Sequence, residues 1–194
     1  MHDIAQAALQ QMPPTSRLRQ EDRDIILRNK DHLLELGPLI VQSFYDTLYD
    51  HPPTSAVFQD GERPAREGTL ANWWTRTVNG PLDEDYFAWM ALVGLVHVIR
   101  NVTNPMMLAM SDHVAGLVAE KSHEFPIPAT EQQDLVAAFG RLAASVRAII
   151  TWGYDHAVSA ALFEVAGMPE ALLARLRDQE IITALRDART QLAT

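Results

Sequence analysis

The side chain best placed to do chemistry is His97, which stands inside the most apolar window of the chain, WMALVGLVHVI from Trp89 to Ile99. A neutral imidazole in such surroundings has two uses. It can hydrogen-bond a backbone carbonyl as a packed core residue, which is the commoner case for a lone histidine on an apolar face. It can instead turn a nitrogen lone pair to a metal. The form of metal binding that needs one imidazole, an apolar slot and an opposite face of tunable polarity is axial ligation of a haem iron. Tyr45, preceded by Phe44, has the same duality: a core residue with its hydroxyl bonded locally, or a distal donor to a gas molecule. Trp73 and Trp74 are adjacent on a helical pattern, so their directions diverge by ~100° and at most one faces a ligand.

Other chemistries are poorly supported. The chain has no cysteine, which excludes disulfides, zinc–thiolate sites, iron–sulfur clusters and a cysteine nucleophile. His32, His51, His113, His123 and His156 form no pair at the i, i+4 spacing of a helical metal site. There is no Gly-x-Ser-x-Gly elbow, phosphate loop, dinucleotide fingerprint or paired-carboxylate motif, so no enzymatic activity is expected. With 25 acidic against 16 basic residues and a formal charge of -9, a broad electrostatic contact with nucleic acid or an anionic membrane is disfavoured. The window around His97 falls short of the ~20 residues a membrane span requires, and the N-terminus lacks the basic and apolar regions of a secretory signal. A cytoplasmic protein with small-molecule or protein partners is the expectation.

The elements that must position these residues are all helical. Residues 1–16, ending near Pro13-Pro14, read as an arm or a short extra helix. Apolar residues at helical spacing run from Ser16 to Leu36 and stop at Gly37-Pro38. A second helix from Pro38 to about Tyr49 carries Phe44 and Tyr45 and stops at His51-Pro52-Pro53. Pro64 opens a third, to about Val78, which carries Leu70, Trp73 and Trp74. After the Asn79-Gly80-Pro81 break, Asp83 is a good N-cap for a helix that puts Tyr86, Met90, Val93 and His97 on one face, and that helix reads as buried. Asn104-Pro105 starts another, to about Lys121. Thr130 to Gln133 matches a capping box ahead of helical periodicity over 131–166, ~50 Å at about 1.5 Å per residue and longer than its own core requires. Glu170 to Leu192 is a last amphipathic helix. No strand pattern intervenes. The expectation is an all-α fold of seven to eight helices, with a domain over 17–168 and a C-terminal helix at 169–194.

Three blocks in fixed order resemble the sensor-globin (globin-coupled sensor) and protoglobin branch of the globins: Phe44-Tyr45-Asp46-Thr47-Leu48 with His51-Pro52 and Phe58, then Asn79 through Phe87, then Val93 through Arg100. The resemblance spans roughly residues 17–165 and implies a globin-like fold with an extended C-terminal helix. It implies haem b as cofactor, His97 as its metal ligand on the proximal side, and Tyr45 as the distal hydrogen-bond donor. Phe44, Thr69, Leu70, Trp73, Met90 and Val93 are the implied pocket residues. The implied ligands are the diatomic gases O2, CO and NO. The implied assembly is a homodimer through helices 105–121 and 131–166, with 169–194 as a link toward a signalling domain. Where the family continues with glycine and then an aromatic pair after the histidine block, this chain has Asn101 and then Met106-Met107. Two other functions share the fold: a haem-free interaction module of a stress-signalling complex, and a haem enzyme such as an NO dioxygenase.

Overall fold

The computed structural model describes residues 1–192, so the last two residues of the expected terminal helix lie outside the described residues. The elements are α1 (His2–Gln11), a 3-10 turn (Pro14–Ser16), α2 (Gln20–Arg28), α3 (Lys30–Glu35), α4 (Gly37–Asp50), α5 (Pro52–Ser55), α6 (Arg63–Asn79), α7 (Glu84–Ile99), α8 (Asn104–Ser122), α9 (Ala129–Ala166) and α10 (Glu170–Leu192). No strand occurs among the described residues, and the fold is all-α.

The ten α-helices among the described residues exceed the seven or eight that periodicity suggests, for local reasons. Residues 2–11 form a full helix, and the Ser16–Leu36 run divides at Asn29. There the buried side-chain amide donates to the Ile25 carbonyl and to Glu131 Oε1, both at 3.0 Å. A side chain that bonds the backbone in this way competes with the helical ladder. α5 is a single turn opened by two prolines.

Contacts divide the chain into two compact units, residues 1–154 and the residues from 155 onward. The first unit has one main core. Leu33, Ile40, Trp74, Tyr86, Met90, Leu135, Phe139 and Ile149 are all almost fully buried there. Several of its buried polar groups are paired, although the Tyr49 hydroxyl is buried without a partner. Trp74 Nε1 donates to the Leu33 carbonyl at 2.9 Å, and the Tyr86 hydroxyl meets Thr77 Oγ1 at 3.0 Å. Asp22, 3% exposed, receives Arg141 Nε at 2.7 Å on one oxygen and a terminal guanidinium nitrogen at 2.5 Å on the other, which ties α2 to α9. In the second unit, α10 leaves Leu172, Leu176, Ile181, Ile182 and Leu185 exposed.

The helix expected to be buried is buried on one side only. Leu92 and Ile99 of α7 face outward, Ile99 at 83% exposure, although the helix is apolar almost all round. Its other faces meet α1, whose Ala5 and Ala8 are buried, and the core. Small residues on α1 allow a close approach, and His2 Nε2 contacts Asp85 Oδ1 at 2.8 Å at the start of the paired helices. α9 is the one helix among the described residues long and apolar enough to cross a membrane by length and composition. The apolar side of its first part is packed within the first unit, where Leu135, Phe139, Leu142, Val146, Ile149 and Ile150 are core residues.

Candidate functional site

α7 starts and stops in ways that fix His97. At its N-terminus Asp83 Oδ1 accepts the Tyr86 amide at 3.0 Å, and Glu84 and Asp85 complement the positive end of the helix dipole. At its C-terminus the Asn101 amide bonds the Val98 carbonyl at 3.1 Å and the Val102 amide bonds the His97 carbonyl at 3.0 Å. This pair of bonds, with Asn101 in the left-handed region at φ 59°, is a Schellman termination. Asparagine tolerates that conformation better than any residue but glycine. Asn101 therefore makes a left-handed turn that glycine most readily makes, and the last turn carrying His97 is closed by two backbone hydrogen bonds.

One turn earlier, Gly94 sets the depth of the helix. A Cβ there would lie 3.2 Å from Ile150 Cα and 3.3 Å from its carbonyl oxygen, both backbone atoms that have little room to yield. α7 and α9 thus approach as closely as a glycine permits, and the residues on either side of the contact, Met90, Val93 and His97, are brought onto one cavity wall.

That cavity has a volume of ≈ 390 Å³, inside the ~300–1,000 Å³ range of small-molecule and cofactor sites. α4 contributes Phe44, Tyr45 and Leu48; α6 contributes Arg66, Thr69 and Trp73; α7 contributes Trp89, Met90, Val93 and His97. Met106, Met107 and Met110 line it from α8, and Phe139, Leu142, Val146 and Ile150 from α9. Phe44, Tyr45, Thr69, Trp73, Met90, Val93 and His97 are therefore brought together. Leu70 is not. It packs against the small cluster of Tyr45, Leu48 and Met110, because it is rotated about 100° from Thr69 on the same helix. Of the adjacent tryptophans, Trp73 lines the cavity and Trp74 belongs to the core.

Within this wall the two polar residues of interest stand in different states. His97 Nδ1 is buried and has no hydrogen-bond partner. Burial, followed by the charge of Arg100, lowers the His97 pKa below its ordinary value, so the imidazole is neutral and keeps a lone pair at neutral pH. Tyr45, 6% exposed, donates its hydroxyl to the Arg66 carbonyl at 2.8 Å. Burial pushes its pKa up to about 12, so it stays a donor. Phe44 and Phe58 hold its ring edge-on, with centroids at 5.3 and 6.0 Å. To act on a bound molecule this hydroxyl must leave a carbonyl it already satisfies.

Sequence reasoning did not single out Arg66 and Arg100, and treated Met106 and Met107 only as a variation. Spacing held a signal for each: Glu62 and Arg66 are an i, i+4 pair, and Met106, Met107 and Met110 share a helix face. Only the fold shows that Glu62 also binds Arg100, at 2.8 Å, across 38 residues.

The protoglobin family model matches residues 5–157. The chain belongs to the protoglobin family, and its all-α fold is globin-like. No curated protein matches the chain. The family implies a haem cofactor, and globins of this kind bind diatomic gases at the haem iron. The residues present fit such a group. No cluster of three or more His, Cys, Asp or Glu side chains gathers as a metal site among the described residues, and a porphyrin needs none, since it supplies four ligands and takes an axial imidazole from the protein. A neutral histidine in the wall of a largely apolar cavity is the kind of donor such a group takes.

Proposed function

We propose that the protein is a gas-binding haem globin of the sensor or carrier type, with haem b seated in the α4–α9 cavity and His97 as the proximal ligand. When bound, the haem would supply an iron that takes up O2, CO or NO. The protein's part is to hold the imidazole, exclude water and place one donor. The Schellman turn at Asn101 and the Gly94 contact fix His97, the apolar walls keep the slot dry, and Tyr45 donates to a gas ligand once it leaves the Arg66 carbonyl. Phe44, Thr69, Trp73, Met90 and Val93 shape the slot.

The observation that carries this reading is the buried, unpartnered Nδ1 of a neutral His97 in the cavity wall. A structural histidine would have its polar atoms satisfied, as Trp74 and Tyr86 do. The same observation disfavours a haem-free interaction module. We also propose a cytoplasmic homodimer that signals through α8 and α9. The 38-residue length of α9 supports this, as do exposed Val158, Phe163 and Val165 toward its end. No reaction is proposed. Titrating the purified protein with haemin tests the reading. A stoichiometric Soret band that is lost or strongly altered in His97→Ala is expected, and a protein that takes up no haemin sinks it.

A further inference from the structure

The two ring nitrogens of His97 stand in different surroundings. Nδ1 is sealed in packed protein and has no hydrogen-bond partner, whereas Nε2 is not sealed and is the nitrogen the ring offers to the cavity it lines. A neutral imidazole that gives its Nε2 lone pair to a metal carries its proton on Nδ1. That N–H then points at nothing able to receive it. Histidines that bind metals almost always donate the second ring N–H to a carboxylate, a backbone carbonyl or water, and the bond makes the ring a stronger donor to the metal. His97 lacks this reinforcement.

The wall around the ring explains the lack. Side chains on a helix lean back over the turn before them, so the ring lies above Val93 and Gly94, and neither has a polar side-chain atom. α8 brings Met106 and Met107 to the same wall, where the family has an aromatic pair. Their thioethers are weak acceptors and make no bond to Nδ1. Among the described residues no carboxylate lines the cavity, and the nearby Arg100 can only donate. The Tyr45 hydroxyl is turned to the Arg66 carbonyl.

We propose that the site is tuned to nitric oxide, because the bare Nδ1–H leaves His97 a weak proximal donor that this gas, unlike O2 or CO, displaces from the iron. The iron in this inference rests on the haem reading; the weakness rests on the bare Nδ1. Nitric oxide carries an unpaired electron that weakens the bond opposite it more than O2 or CO does. As the bond from nitric oxide to iron forms, the bond from iron to Nε2 breaks and its electron pair stays on Nε2. No electron or proton enters or leaves. Oxygen is disfavoured from both sides: a weak donor passes it less charge through the iron, and Tyr45 must first leave the Arg66 carbonyl. Release of the ring also has an outlet in the chain. The turn that carries it is closed by the Asn101 and Val102 amides, at 3.1 and 3.0 Å from the Val98 and His97 carbonyls, and Ile99 beside it is exposed.

The test compares the ferrous, haem-loaded protein under nitric oxide and under CO. In wild type the nitric oxide form should give an electron paramagnetic resonance spectrum without splitting from an imidazole nitrogen. Amide hydrogen exchange at Asn101 and Val102 should speed up under nitric oxide and stay unchanged under CO. Val93→Thr sets a hydroxyl one turn below the ring at nearly constant volume, and so supplies an acceptor. It should shift the midpoint potential of the iron downward and restore the imidazole splitting. Val93→Ala, which alters the wall without adding an acceptor, should not reproduce those changes. Imidazole splitting in the wild-type nitric oxide form, alongside ferrous spectra that depend on His97, overturns the inference and leaves the haem reading standing. Equal exchange under both gases overturns it too, as does a Val93→Thr protein with the wild-type potential and nitric oxide spectrum, since the weakness then does not lie at Nδ1. Ferrous spectra identical in wild type and His97→Ala remove the ligand itself, and both readings fall.

Discussion

The first unit contains two apolar regions built from the same helices, and they differ in how their polar atoms are satisfied. In the core, Trp74 Nε1, the Tyr86 hydroxyl, the Asn29 amide and the Asp22 carboxylate all have close partners. In the cavity, a few ångströms along α6 and α7, His97 Nδ1 has none and Tyr45 borrows a carbonyl. The adjacent residues Trp73 and Trp74 fall one in each region. Burial alone therefore does not distinguish structure from function here. In the main core these close partners hold the fold, whereas in the cavity the His97 nitrogen and the singly bonded Tyr45 hydroxyl leave polar atoms open to a ligand.

If that division holds, changes in the core should cost stability and leave haem chemistry intact. Trp74→Ala removes a side chain 1% exposed and its bond to Leu33, and should destabilise by ~3–5 kcal/mol in denaturant titration, with an unchanged Soret position in the folded fraction. Asp22→Ala leaves Arg141 without its partner. The cost should be about 3 kcal/mol, the low end of the range for a broken buried pair, because Arg141 is 22% exposed and can rehydrate. The pair also carries a pH signature. Burial raises the Asp22 pKa, but the hydrogen bonds from Arg141 and the Arg19 amide outweigh it, and the net value lies below 3.8. The unfolded chain then takes up a proton before the native one does as pH falls. The stabilisation is complete above the unfolded value and is lost as pH drops from about 3.8 through the folded pKa. Wild type should show this acid loss in urea titrations at stepped pH, and Asp22→Ala should lack it.

Two smaller changes probe the boundary between the regions. Gly94→Ala forces a Cβ against the Ile150 backbone and should cost ~1–3 kcal/mol while broadening the haem spectrum, since the displaced helix carries His97. Tyr45→Phe should be the mildest. A hydrogen bond to a polarised gas ligand gains ~1.5–3 kcal/mol, but the hydroxyl gives up the Arg66 carbonyl, worth ~0.5–1.5 kcal/mol, to make it. The difference is about 1 kcal/mol, so stopped-flow oxygen release should speed up about five-fold. Unchanged release would remove Tyr45 from the distal role.

Much of this was legible in the sequence, and the parts that were not have physical causes. Asp83 as an N-cap, the proline and glycine breaks and the helix carrying Tyr86, Met90, Val93 and His97 follow from local rules, and local rules sufficed there. Asn101 was visible as a departure, but its meaning needed the dihedral angle: it keeps the left-handed turn a glycine would make. The split at Asn29 depends on Glu131, over a hundred residues away, so no window of sequence contains it. The outward face of α7 was hidden because an apolar composition does not say which side the fold covers. No local pattern ties Arg66 to Arg100, because the Glu62 carboxylate that bonds both reaches Arg100 across 38 residues.

The central claim, that His97 is the proximal ligand of a haem iron, is tested most directly by replacing the side chain and returning only its imidazole. His97→Gly, loaded with haemin, should lose the wild-type ferric and ferrous–CO spectra and recover them when free imidazole is added. A His97→Gly protein whose spectra match wild type without imidazole would contradict the account.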